Sequence, residues 1–150
     1  MRKATPSLRE RALGYLTRRE YSRQELSRKL QAHVVDEDLD ALLDEFRQRG
    51  WLSDARYADQ LVHARQGRYG SLKVAHELRS KGVSDELVSQ AVAELKLGEK
   101  ESALNLWRRK FGTVAQSREE WARQARFLQS RGFGTDIIKA VLRGEPEEME

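Results

Sequence analysis

The sequence predicts an all-α protein: a tandem array of three three-helix repeats, about nine helices in all, elongated and curved, with modules that resemble helix-turn-helix units. Three observations predict it. Apolar residues recur at helical rather than alternating spacing almost from end to end, and strand-like runs are nearly absent. Helix start signals recur at short intervals, with Ser7, Ser22 and Ser117 each three residues ahead of a glutamate (Glu10, Glu25, Glu120) at capping-box spacing. The third observation is an internal repeat. ELSRKLQAHVVDEDLDALL, VAHELRSKGVSDELVSQAV and RQARFLQSRGFGTDIIKAV each place a leucine five residues before an apolar hinge residue: Leu30 before Val35, Leu78 before Val83, Leu128 before Phe133. Apolar positions follow four and eight residues later at Leu39 and Leu43, Leu87 and Ala91, Ile137 and Val141. A period of about 50 residues, in units too small to hold a core alone, is the mark of stacked modules.

Taken in order, the first module has helices over 8–19, capped by Ser7; 22–33, capped by Ser22; and 36–49, started at Asp36 and stopped at Gly50. The second has 53–66 from Ser53, 71–81 from Ser71 and 84–97 from Ser84, with stops at Gly82 and Gly98. The third has 99–111, ending at Gly112, then 117–131 from Ser117, and 135–143 from Thr135, with stops at Gly132 and Gly144. Each module opens on an apolar stripe assigned to its core: Ala12, Tyr15 and Leu16; Tyr57, Ala58, Leu61 and Val62; Ala103, Leu104, Trp107 and Phe111. The modules divide the chain at 1–52, 53–98 and 99–144, leaving 145–150 as an acidic tail.

The turn between the fourth and fifth helices reads GRYG, Gly67 to Gly70, the GxxG pattern of a loop that clamps a phosphate backbone in KH modules. A KH module needs a sheet beside that loop, and no strands are available here. Gly67 therefore reads as the end of one helix and Gly70-Ser71 as the entry to the next. Arg65, Arg68, Tyr69 and Lys73 crowd the turn.

Charged residues make up 35% of the 150-residue chain against 7% aromatics, and the net charge is +4. Removing the four glutamates of EPEEME (Glu145, Glu147, Glu148, Glu150) leaves a body of +8, so an anionic partner is favoured. The tail is either a solvated end or a segment that folds back on basic residues. The chain has no cysteine, which excludes disulfides and thiolate chemistry and fits a reducing compartment. With no membrane-length apolar run or signal-peptide pattern, the expected location is the cytoplasm, and nothing demands more than one copy.

Catalytic and metal signatures are missing. His33, His63 and His76 are isolated, and there is no Walker loop, GxGxxG, GxSxG or HExxH. Asp36, Glu37 and Asp38 could hold Mg²⁺ for a nuclease, but acids at a helix start more simply complement its dipole. Neither catalytic residues nor a cofactor or metal is expected.

The second helix of each module is rich in cations: Arg23, Arg28 and Lys29; Lys73, Arg79 and Lys81; Arg118, Arg123, Arg126 and Arg131. At 100° per residue Arg123, Arg126 and Arg131 share one arc, opposite Trp121, Ala125 and Leu128. Arrayed modules would present a basic strip, although such cations also serve helix dipoles and solubility. Reading of DNA bases in the major groove by the third helices is disfavoured. They begin at Asp36-Glu37-Asp38, Asp85-Glu86 and Asp136, where phosphates and base acceptors would meet carboxylates.

YSRQELSRKL at 21–30, GWLSDARYADQLVHAR at 50–65 and GSLKVAHELRSKGVS at 70–84 closely resemble the RecX family, and RGFGTDIIKAV at 131–141 follows it more loosely, so the likeness covers most of the chain. It implies a non-catalytic array of three-helix repeats that lies in the groove of the RecA filament on single-stranded DNA. There it would inhibit ATP hydrolysis, strand exchange and coprotease activity, and so modulate recombination, DNA repair and the SOS response. The implied partners are the RecA nucleoprotein filament and single-stranded DNA, with duplex DNA left open. The alternative is a sequence-nonspecific DNA-binding protein that acts without RecA.

Tyr21, Glu25, Leu26, Leu30, Gly50, Asp54, Tyr57, Ala58, Gly70, Leu78 and Gly82 match the family pattern and are expected to be scaffold. Arg65, Lys73, Arg79 and Lys81 match its basic positions. The contact candidates are these four with Arg68 and Tyr69, extended by Arg108, Arg109, Lys110, Arg123, Arg126 and Arg131.

Overall fold

Short polar residues set where the helices begin. In a computed structural model describing residues 4–142, the hydroxyls of Ser7, Ser22, Ser53, Ser84 and Ser117 each accept the backbone N–H three residues on, tying down a donor that a first helical turn leaves unpaired. The full reciprocal capping box forms at Ser22, whose backbone N–H returns to Glu25. The described residues form nine α-helices and no strand: α1 (Leu8–Leu16), α2 (Arg23–Leu30), α3 (Leu39–Gln48), α4 (Asp54–Arg65), α5 (Ser71–Ser80), α6 (Asp85–Leu97), α7 (Glu99–Lys110), α8 (Arg118–Ser130) and α9 (Thr135–Leu142), with a 3₁₀ turn at Gln31–His33. Gly144 and the acidic tail at 145–150 lie outside the described residues.

Each group of three helices encloses its own core, and the repeat leucines Leu30, Leu78 and Leu128 are completely buried in the three of them. Tyr57, Ala58 and Val62 of α4 line the second core and Ala103 of α7 the third. Phe111 departs from its assigned stripe: it meets Phe127 edge-on at 5.5 Å rather than entering the third core cluster.

Several boundaries differ from the sequence reading. α1 ends at Leu16, where the Thr17 hydroxyl turns back to the Gly14 carbonyl. Asp38, not Asp36, caps α3, while the Glu37 carboxylate accepts the N–H groups of Val35 and Asp36 in the preceding loop. That loop also breaks the repeat. Lacking the glycine that follows α5 and α8, the chain leaves α2 through the 3₁₀ turn, so Val35 is 83% exposed and Val34 packs on the core instead. Thr135 is the first residue of α9 rather than its cap. Ser71 does not cap α5: it is the first helical residue, and its N–H (2.8 Å) and hydroxyl (2.9 Å) both donate to Glu99 of α7.

The modules are joined by one device used twice. At the first junction the Ser22 hydroxyl, before α2, donates to the carbonyl of Lys81 after α5 (2.7 Å), and Gly82 lies against Gln24. Asp54 accepts the N–H of Arg23 (2.8 Å) across the same boundary. At the second junction the N–H of Gly70, before α5, donates to the carbonyl of Arg131 after α8 (2.7 Å), and the N–H of Leu72 to Gly132 (3.2 Å). A side chain at Gly70 would overlap the Gly132 carbonyl, and one at Gly132 would overlap Lys73. The GRYG turn is thus the seat of the third module.

Candidate functional site

At the second junction the turn and the start of α5 bring basic side chains together. Arg65, Arg68, Tyr69, Lys73, His76 and Glu77 line an open hollow of about 450 Å³. Arg65 is already committed, because its guanidinium holds Glu77 through Nε (3.1 Å) and a terminal nitrogen (2.8 Å), and this hydrogen bond raises its pKa above the ordinary arginine value. Among the described residues, Arg68 and Lys73 hold no carboxylate.

Tyr69 is half buried against the second core and carries two cations: Lys73 Nζ at 4.7 Å and the Arg131 guanidinium at 5.7 Å from the ring centre. Arg131 also stands 5.3 Å from the Phe127 ring, and Lys110, at the end of the third module's first helix, stands 5.7 Å from it. Lys73, Tyr69, Arg131, Phe127 and Lys110 therefore form one continuous run of alternating cations and rings from α5 to the end of α7. Lys73 Nζ also reaches the Ser130 carbonyl at 3.4 Å.

The remaining candidates scatter. Arg79 pairs with Asp85 (3.0 Å). Lys81 stands at the first junction, 3.7 Å from Glu25, which Arg19 also grips and the Ser22 N–H supports. Arg108 and Arg109 are exposed at the end of α7, and Arg123 and Arg126 are exposed along α8, opposite half-buried Trp121 and Ala125 and buried Leu128. None of these four holds a carboxylate among the described residues.

Charge compensation is uneven along the array. In the first module Arg9, Arg19, Arg23, Arg47 and Arg49 are all ion-paired, Arg23 lying 2.6 Å from Asp44. Residues 99–142 hold nine Lys and Arg against five Asp and Glu, and Glu99 is buried at the junction. Excess positive charge is thus concentrated on the third module and the turn that seats it, where it raises the local concentration of anions. Lys29 lies over Tyr15 (4.7 Å), which puts it and exposed Arg28 on a smaller basic face of the first module.

Among the described residues, no three His, Asp or Glu converge to hold a metal ion, and no helix is long and apolar enough to cross a membrane. Of the three acids proposed for Mg²⁺, Glu37 accepts backbone N–H groups of its loop and Asp38 caps α3.

Comparison with known proteins gives consistent matches. Family models described as the first, second and third three-helix domains of RecX match residues 9–45, 53–92 and 98–142 in that order. The chain is 46% identical over 138 residues to the regulatory protein RecX of Leptothrix cholodnii, covering 91% of this chain and 88% of that one. It is 40% identical over 145 residues to the regulatory protein RecX of Ralstonia pickettii, covering 96% and 91%. The crystal structure of RecX from Lactobacillus salivarius has the same fold, with a TM-score of 0.77 at 20% identity over 91% of this chain and 92% of that one.

Proposed function

The chain belongs to the RecX family of regulatory proteins, and on that premise we propose that it docks on the RecA nucleoprotein filament formed on single-stranded DNA. Bound there, it inhibits the recombinase, ATPase and coprotease activities of RecA and so tunes recombination, DNA repair and the SOS response. It acts by binding rather than by catalysis, as a single copy in the cytoplasm.

The observation that carries this reading is the charge of the second junction and third module, where Arg68, Lys73, Lys110, Arg123, Arg126 and Arg131 face outward or sit over rings with no carboxylate partner among the described residues. Contacts spread over consecutive modules suit a repeating target, since several weak sites on one rigid body add through effective concentration. Contacts made only in one filament state would shift the filament toward that state.

The test is ATP hydrolysis by RecA on single-stranded DNA, titrated with this protein and with an Arg68→Ala/Lys73→Ala/Arg131→Ala variant. Arg65 is left in place because its loss would strand Glu77. Inhibition below one protein per RecA, relieved at least tenfold by the variant, is the expected result. Absence of inhibition with binding to bare DNA retained would assign the protein to RecA-independent, sequence-nonspecific DNA binding.

A further inference from the structure

We infer that the run from Lys73 to Lys110 grips the phosphodiester backbone of nucleic acid and does not read or stack on its bases. This deepens, and rests on, the reading that the surface faces a nucleoprotein target.

An aromatic residue that binds single strands does so by offering a bare face to a base. The two rings of this run are otherwise engaged. Tyr69 packs on the second core and carries Lys73 and Arg131, while Phe127 packs on the third core, makes a T-shaped contact with Phe111 and carries Arg131 and Lys110. The nearby tryptophans are engaged as well: Trp107 Nε1 donates to buried Gln124 (2.8 Å), and Trp121 packs on the third core. The groups left to face a ligand are ammonium and guanidinium cations. Rings behind them hold them in place, which lowers the entropy lost when they engage an anion.

Nucleic acid fits this better than an acidic protein face does. The groups of the run that reach solvent are cations, linked one to the next through the two rings, with a single exposed leucine, Leu72, beside them rather than the apolar cluster that anchors protein interfaces. A contact to phosphate alone carries no sequence information and needs no base, although its strength follows the charge density of the strand.

The experiment is fluorescence anisotropy of the full chain with three labelled probes of equal length: oligo(dT), an abasic oligomer of the same backbone, and a duplex. Affinities for the abasic and oligo(dT) probes are expected to agree within about threefold. A Lys73→Ala/Lys110→Ala/Arg131→Ala variant, shown by circular dichroism to be folded, is expected to lose at least tenfold on every probe. Its log–log salt slope on single strands should fall in magnitude by about 2, from roughly 0.7 per phosphate contact. Arg131→Lys is expected to retain most of the binding.

Abasic binding tenfold or more below oligo(dT), or a triple variant that binds like the parent, would overturn the inference. RecA ATPase inhibition, scored on the same preparations, separates the two readings. Inhibition that persists while the probe pattern fails leaves the regulator standing and removes the backbone grip. The expected probe pattern without inhibition does the reverse.

Discussion

The N–H of Gly70 donates to the carbonyl of Arg131 at 2.7 Å, a main-chain bond that seats the third module on the second. Because a methyl group at Gly70 would overlap the Gly132 backbone, Gly70→Ala is expected to destabilise the protein by about 1–3 kcal/mol or more by overpacking. Gly14→Ala is the control. Gly14 lies inside α1 with open space around it, and replacing it is expected to stabilise by about 0.5–1 kcal/mol. Urea unfolding of the two variants checks the contrast in sign.

Glu99 carries the same junction from the other side. Removing its carboxylate in Glu99→Ala leaves the buried Ser71 N–H and hydroxyl without their acceptor, a cost of about 1–3 kcal/mol for each orphaned donor. Glu99→Gln keeps an acceptor oxygen and is expected to lose less. Comparing both midpoints with that of Ser71→Ala, which removes one bond cleanly, tests the assignment.

The broken repeat in the first module gives a paired expectation. Val35→Ser, at an exposed loop position, should fall within about 0.5 kcal/mol of the parent. At the equivalent buried position in the third module, Phe133→Ala should cost about 3–5 kcal/mol. Equal effects in thermal denaturation would contradict the difference in register.

Glu25 links stability to acid. Burial pushes its carboxyl up, but hydrogen bonds from Arg19 and the Ser22 N–H, with the charges of Arg19 and Lys81, overcome this and hold it below the usual carboxylate range. A depressed folded-state pKa contributes stability that is present above the unfolded value, near 4.3, and is lost as pH falls through the folded one. Stability measured by denaturant titration should therefore fall on the acid side, and Glu25→Gln should flatten that limb of the profile.

At the alkaline end, burial, followed by the charges of Glu25 and Glu77, raises Tyr57 to about 12. Its contribution is complete below the unfolded value near 10 and is lost as pH rises toward 12. Spectrophotometric titration should find one of the four tyrosines ionising late, and Tyr57→Phe should remove that phase.

The helices and their cores were legible because both are local: capping serines, helical apolar spacing and the repeated leucines Leu30, Leu78 and Leu128 each act within a few residues. The exception at Val35 also left a trace, since the first repeat lacks the glycine found at Gly82 and Gly132. Half of the cation–ring run is local in sequence, because Tyr69 and Lys73 stand four residues apart across the start of α5, and Phe127 and Arg131 four residues apart across the end of α8. The link that makes it continuous, Arg131 over Tyr69, joins two modules and has no local signal. The pairing of Arg65 with Glu77 across two helices was hidden for the same reason, and it ties a favoured contact candidate to a carboxylate. Gly70 reads in sequence as a turn glycine, and only the module folded against it reveals its role in docking.

Both junctions use the same short vocabulary: a donor at the start of one module's second helix, a carbonyl in the turn after the next module's second helix, and a glycine at the point of contact. The step from module to module is thus written in main-chain N–H and carbonyl groups together with a few fixed side chains, Ser22 and Asp54 at the first junction and Ser71 and Glu99 at the second. Charged residues outside those contacts, such as Arg123 and Arg126 on the exposed side of α8, can be exchanged without touching them. Shape and charge are separate inheritances in this protein: a fixed ruler whose markings can be redrawn to suit another polyanion or another strength of grip.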